Sequence, residues 1–299
     1  RGDVIFAGTN PEIVLPLLAV IKIIRQAKLC VLVHDVFPEN LVPAGVISPR
    51  SIVYKFLLFL YRLVYQAFDA TIVIGRDMQE SVDRKAGRPR SVFIHNWVDA
   101  GEVAPADRMS SGLLTDLGWE TCIVFQFFGN MGRLQGIPGL LDALGRCRSP
   151  RAAFLFAGEG VMRAQVADFC ADHPRRHLLP VDSGLTRDEV LASCDVALVT
   201  LHRGMTGLGV PSKAYFSLAA DRPLFALMEP EAEIARVVKE YGAGWTCSPA
   251  DPQKVAALID AVCENLPVPS GRCRALIEGP LSKDAALARL TRRIEELLA

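Results

Sequence analysis

The chain of 299 residues sets 33 Lys and Arg against 33 Asp and Glu, and a net charge of zero excludes a dedicated nucleic-acid binder, whose surface would be basic. Apolar residues make up 51% and charged residues 22%, which excludes intrinsic disorder and, at this length, indicates two domains. Eight cysteines are spread from position 30 to position 273 with no CxxC pair, so neither a zinc framework nor a disulfide scaffold is expected, and the thiols suit a reducing compartment.

Short β-branched or aromatic runs alternate with helical periodicity. Strands are predicted over 3–7, 29–34, 70–74 and 91–95, with helices over 11–27, 50–68 and 76–86 between them. Residues 99–120 are poorer in apolar runs and hold the domain junction, with the first domain drawn as 1–110. A second series follows over 111–280. Its strands are 122–128, 152–157, 177–180, 195–200, 223–227 and 244–247, and its helices 138–147, 161–171, 186–193, 211–220, 231–240 and 252–265. A terminal helix at 283–298, within a segment 281–299, is expected to pack back on the first domain. This alternation defines an α/β protein of two doubly wound parallel sheets.

The helix from Ser51 to Phe68 is unusual. Ser51, Lys55, Arg62 and Gln66 form one narrow polar stripe, and nearly every other position is apolar. Its first reading is a helix buried between the sheet and its neighbours. The sharper one is a helix lying on an anionic membrane, favoured by eight basic against four acidic residues between 50 and 90. No run approaches the roughly 20 apolar residues that a membrane span needs.

Ligands of open α/β sheets bind at the carboxyl ends of strands, so the strand-to-helix loops carry the candidates. FGNMGRLQG at 128–136 offers Gly129, Asn130 and Gly132 for close backbone approach, and the Arg133 guanidinium for phosphate oxygens. FAGEG at 156–160 supplies Gly158, Glu159 and Gly160. In GMTGLGVPSK, a glycine-rich stretch with Gly209 and Val210 runs into Pro211, Ser212 and Lys213. A lysine is poorly placed at a helix start unless an anion is bound there, so Arg133 and Lys213 are predicted to clamp a diphosphate. In the first domain, His34 and Asp35 follow a strand directly, within HDVFPEN.

VHDVFPEN, IHNWVD, GNMGRLQG, FAGEG and VPSK followed by LAADRP resemble glycosyltransferase family 4, in the right order over nearly the whole chain. The nearest branch builds bacterial surface polysaccharides and O-antigens. The resemblance implies the GT-B fold, two Rossmann-like domains with the donor in the second and the acceptor in the first. The first domain is short of that pattern by about two βα units. It further implies a retaining, metal-independent transfer from a nucleotide sugar, expected to be UDP-linked, to a glycolipid or saccharide acceptor. No cofactor, metal or nucleic acid is expected, and the location would be cytoplasmic or peripheral at the inner face of the cell membrane. Arg133 and Lys213 would neutralise the leaving diphosphate, Gly129, Asn130 and Gly132 would meet phosphate or sugar, and 158–160 would lie near the nucleoside. His34 and Asp35 would face sugar and acceptor. Leu208 and Phe216 stand where the family commonly has a pair of glutamates, and Asp221 where it has glycine. Two further readings stay open: an inactive nucleotide-sugar-binding homologue or scaffold of a polysaccharide assembly complex, and an epimerase acting on UDP-sugars.

Overall fold

The computed structural model describes residues 3–265 and 271–298. They form two compact units. The first runs to Asn96 and includes Gly204–Val210 and the segment from Asp284 onward; the second holds Trp97–Arg203 and Pro211–Lys283. The division therefore falls at Asn96 and not near residue 110. The reason is local bonding: Asp99 pairs with Lys283 at 2.7 Å and Arg108 with Asp195 at 3.0 Å, which fastens this stretch to the second unit.

In the first unit, β1 (Val4–Gly8), α1 (Val14–Arg25), β2 (Lys28–Val33), α2 (Ile52–Gln66), β3 (Ala70–Val73), α3 (Arg76–Ala86) and β4 (Ser91–Phe93) alternate. The four strands are parallel and lie in chain order, and β2 and β3 are buried almost throughout. Such continuous apolar runs are what a sheet covered on both faces requires.

Helix α2 departs from its first reading. It buries Tyr54, Tyr61, Val64 and Tyr65, while Ile52, Val53, Phe56, Phe59 and Leu63 are exposed, Ile52 to 85%. The inward positions are the tyrosines because polar groups await them: Tyr61 donates to the Glu12 carbonyl at 3.0 Å, and the Lys85 ammonium lies 4.7 Å from the Tyr65 ring centroid. Helix α1 likewise exposes Leu17, Val20, Ile23 and Ile24. Among the described residues no helix is long and apolar enough to cross a membrane.

The second unit opens with the one-turn helix α4 (Leu113–Asp116). It continues through β5 (Ile123–Phe128), α5 (Ile137–Gly145), β6 (Ala152–Ala157), α6 (Arg163–Cys170), β7 (Arg176–Leu178) and α7 (Arg187–Ala192). Then come β8 (Val196–Thr200), α8 (Lys213–Ala219), β9 (Leu224–Leu227), α9 (Glu233–Tyr241), β10 (Gly244–Cys247), α10 (Pro252–Glu264) and α11 (Arg272–Glu278). The last helix, α12 (Lys283–Leu298), lies with the first unit from Asp284 on. The six-stranded sheet has the order β10-β9-β8-β5-β6-β7, all parallel, so the chain reverses direction across the sheet between β5 and β8. Phe125, Phe127, Phe154, Phe156 and Phe225 fill one face of this sheet, with Phe127 and Phe156 centroids 6.4 Å apart.

Helix α11 lies outside the predicted elements, and Asp221 accounts for it. Asp221 adopts the left-handed conformation at φ +59°, which Asp tolerates better than most side chains. Its carboxylate accepts from the backbone N–H of Cys273 (3.1 Å) and Arg274 (3.0 Å). The aspartate in the expected glycine position therefore makes the turn before β9 and also caps the distant helix α11.

Candidate functional site

The crevice at a topological switch point is where an open α/β sheet binds its ligand, and here it lies between β5 and β8. A cavity of about 240 Å³ sits there, lined by Phe128, Gly129, Asn130 and Gln135 after β5 and by Pro211, Ser212, Lys213 and Phe216 at the start of α8. A second, of about 190 Å³, shares Phe128 and is lined by Gly158, Glu159, Pro180, Val181, Ser183 and Arg187 among others. Together they reach the lower part of the ~300–1,000 Å³ range of small-molecule sites. The Arg187 guanidinium lies 5.5 Å from the Phe216 ring centroid, so one cation–aromatic contact joins the two walls.

Lys213 is the electrostatic centre. Although the residue as a whole is half-buried, its Nζ is out of solvent, has no hydrogen-bond partner, and sits 3.6 Å from the Phe127 ring centroid. Burial drives its pKa well below the usual lysine value of 10.5. A buried cation without an anion is costly, and Lys213 is also one of the residues that line the cavity.

The glycine loops owe their composition to packing. Gly129 N–H donates to the Ala157 carbonyl (2.8 Å), Met131 N–H to that of Glu159 (2.5 Å) and Met162 N–H to that of Met131 (3.0 Å). Gly160 lies at φ +138°, where a Cβ would stand 2.6 Å from Asn130 Oδ1 and from the Met131 carbonyl. Arg163 clamps the same turn, donating to the Gly158 carbonyl and, at 3.1 Å, to that of Leu179.

The predicted residues thus divide. Gly129, Asn130, Pro211, Ser212 and Lys213 share the first cavity, and Gly158 and Glu159 line the second. Gly132 and Gly160 line neither, and Arg133 is an exposed side chain outside both linings. Gly209 and Val210 belong to the first unit. Phe128, Gln135, Phe216, Arg187 and the loop after β7 are additional. The position of that loop at the carboxyl edge of the strand predicted at 177–180 is the signal that would have found it.

In the first unit, the end of β2 delivers His34 and Asp35, whose backbone N–H groups both donate to Thr9 Oγ1 (3.0 and 3.4 Å). Burial lowers the His34 pKa, and burial followed by the nearby Glu12 charge raises that of Asp35. The loop beyond them is held by Lys85, which donates to Glu39 Oε2 (2.6 Å) and to the Phe37 carbonyl. Asp99, from the 95–99 stretch, caps Gly101 N–H at 2.9 Å and pairs with Lys283, so it is committed to structure.

Two parallel α/β units, the second with its loops gathered at the β5–β8 switch point, define the GT-B class of architecture. Crystal structures of Anabaena HepE share it: the complex with UDP is 18% identical, with a TM-score of 0.76 over 98% of this chain and 79% of that one. No protein-family model matches. The chain is 44% identical over 306 residues to the probable glycosyltransferase WbjE of Pseudomonas aeruginosa, covering 100% of this chain and 76% of WbjE, and it belongs to the glycosyltransferases. It is also 24% identical over 227 residues to a putative colanic acid biosynthesis glycosyl transferase, WcaI, of Escherichia coli, covering 73% of this chain and 55% of WcaI.

Proposed function

We propose that the protein transfers a sugar from a UDP-linked donor to a glycolipid or saccharide acceptor in the building of a cell-surface polysaccharide. The reading is carried by Lys213, a buried ammonium without a partner on the wall of the switch-point cavity. A diphosphate is an anion suited to pair with this ammonium, and HepE, of the same fold, was crystallised with UDP and with UDP-glucose. The likeness to WcaI, named for colanic acid biosynthesis, supports the polysaccharide setting.

The chemistry asked of the chain is charge stabilisation. As the bond between the anomeric carbon and the β-phosphate oxygen breaks, negative charge grows on the diphosphate, and Lys213, whose ammonium is itself out of solvent, stabilises it. Arg133, an exposed side chain on the loop after β5, adds a second cation. No metal is needed on this reading, and the configuration at the anomeric carbon is retained. Asp35, its carboxyl pushed upward by burial, or His34, kept neutral by the same cause, assists at the acceptor hydroxyl.

The exposed apolar face of α2, flanked by exposed Lys55 and Arg62, fits peripheral contact with an anionic membrane that carries the acceptor. A thermal-shift panel of UDP, GDP, dTDP, CMP and ADP tests the donor reading. UDP should raise the unfolding midpoint by mass action, and Lys213→Ala should abolish the rise. No shift with any nucleotide overturns it.

One observation favours a second reading, a homologue that binds the nucleotide sugar without transferring it. Phe216 presents an apolar ring to the cavity where the resemblance led to a carboxylate. UDP binding without UDP release in the presence of UDP-sugar and a membrane extract would establish that alternative.

A further inference from the structure

Residues 204–210 lie between β8 and α8 in sequence, yet they belong to the first unit. Three backbone contacts seat them there. Val36 N–H donates to the Leu208 carbonyl at 2.8 Å, Gly209 pairs with Asp35 in an antiparallel bridge, and Gly207 N–H donates to Asp77 Oδ2 at 2.9 Å. Gly207 is at φ +76°, and a Cβ there would stand 2.8 Å from Ser81 Oγ and 2.9 Å from the Asp77 carbonyl. The glycine lies flat on the first turn of α3, where the Asp77 carboxylate is also favoured by the helix dipole. The run Gly-Leu-Gly is thereby explained by seating on α3 and on the His34–Val36 segment. Only Val210 separates it from Pro211, Ser212 and Lys213 of the phosphate cavity.

We infer that Asp77 is a positioning residue for the donor cavity: by holding Gly207, it sets the backbone that leads into Lys213. The inference rests on the proposed donor reading. Asp77 touches no substrate on this account. It removes conformations of 204–213 that would otherwise have to be suppressed on each binding event, which is a gain in affinity through preorganisation.

Hydrogen exchange and UDP binding on the full chain test it, with Asp77→Ala and Asp77→Asn as the pair. Asparagine keeps an oxygen acceptor for Gly207 N–H and alanine does not. In Asp77→Ala, the amides of 204–213 should exchange faster without nucleotide, and the UDP dissociation constant should rise about five- to tenfold, the worth of one lost hydrogen bond. Asp77→Asn should restore both, and a general loss of folding would not be rescued in that pattern. Should Asp77→Ala fail to fold, Gly207→Ala disturbs the same contact from the other side and is read identically. Unchanged exchange in 204–213 overturns the inference, and so does faster exchange with wild-type UDP affinity. If UDP binds neither wild type nor variants, the donor reading falls and takes this inference with it; wild-type binding that the variants leave intact removes the inference alone.

Discussion

The carbonyl oxygen of Gly129 occupies the place that a side chain on Gly158 would need. A Cβ at Gly158 would stand 2.0 Å from that oxygen, and the residue lies at φ +139°, so steric and conformational demands coincide. Gly158→Ala must force the two loops apart. The expected cost is about 3 kcal/mol or more, read as a lower urea midpoint with UDP absent. An unchanged midpoint would show that the loops are not packed in this way.

Lys213→Met should stabilise the nucleotide-free protein while removing UDP binding. The wild-type ammonium is buried without a partner, and an unsatisfied buried donor costs about 1–3 kcal/mol. A thioether side chain of similar length avoids that cost and keeps the contact with Phe127. A higher midpoint without UDP, together with a vanished UDP-induced shift, is the expected pair of results. A variant that is both less stable and still responsive to UDP would contradict the account of the cavity.

The same residue sets a pH dependence. Between its depressed folded-state pKa and the ordinary 10.5, the unfolded chain holds a proton at Lys213 that the folded chain does not. Stability from this group is therefore fully present above 10.5 and is lost as pH falls toward the folded value. Binding runs the other way. A diphosphate favours the charged amine, so proton uptake accompanies UDP binding and affinity weakens as pH rises through that window. Calorimetry in two buffers of different ionisation enthalpy reads the uptake directly, and equal heats in both would refute it.

Arg133→Ala should weaken UDP binding less than Lys213→Ala does. Arg133 is exposed, and solvent and salt screen its charge, whereas the Lys213 ammonium acts from a dry wall. The two dissociation constants, measured in 0.15 M salt, decide the matter. The reverse ranking would move the anion site away from Lys213.

Co-sedimentation with phosphatidylglycerol vesicles at low salt should capture the wild-type protein and release it at high salt. The double substitution Phe56→Glu and Phe59→Glu should abolish capture with little effect on folding, because both rings already face outward. Equal sedimentation of wild type and variant would assign α2 no part in membrane contact.

Residues 244–247 and 152–157 were legible as strands to the residue, and helices 76–86 and 283–298 likewise; for 152–157, buried at every position, the cause is the continuous apolar run that a parallel sheet covered on both faces requires. Glycine loops at 128–136 and 156–160 were legible as loops at the carboxyl ends of strands. Their mutual packing was not, since it depends on which strands become neighbours. In α2 the periodicity was visible, but its direction was hidden: phenylalanines face outward and tyrosines inward only because Glu12 and Lys85 lie beneath. Gly207 and Gly209 read naturally as ligand-binding glycines. Their seat on Asp77 and Asp35 joins positions more than a hundred residues apart, and no local pattern encodes that. Lys213 was singled out for its odd position, whereas its burial over Phe127 followed only from the register of β5.

The first unit draws on three separate stretches of chain, ending with the segment from Asp284 onward. During synthesis, the residues up to Asn96 emerge first but must wait for nearly two hundred more before α12 reaches them. The second unit, continuous apart from the seven residues 204–210, has all its strands in place by Cys247 and α11 by Glu278. The half made first is thus the half finished last. Until α12 arrives, the first unit lacks one of its three stretches, and an incomplete unit is the state in which a nascent chain offers chaperones surface to bind.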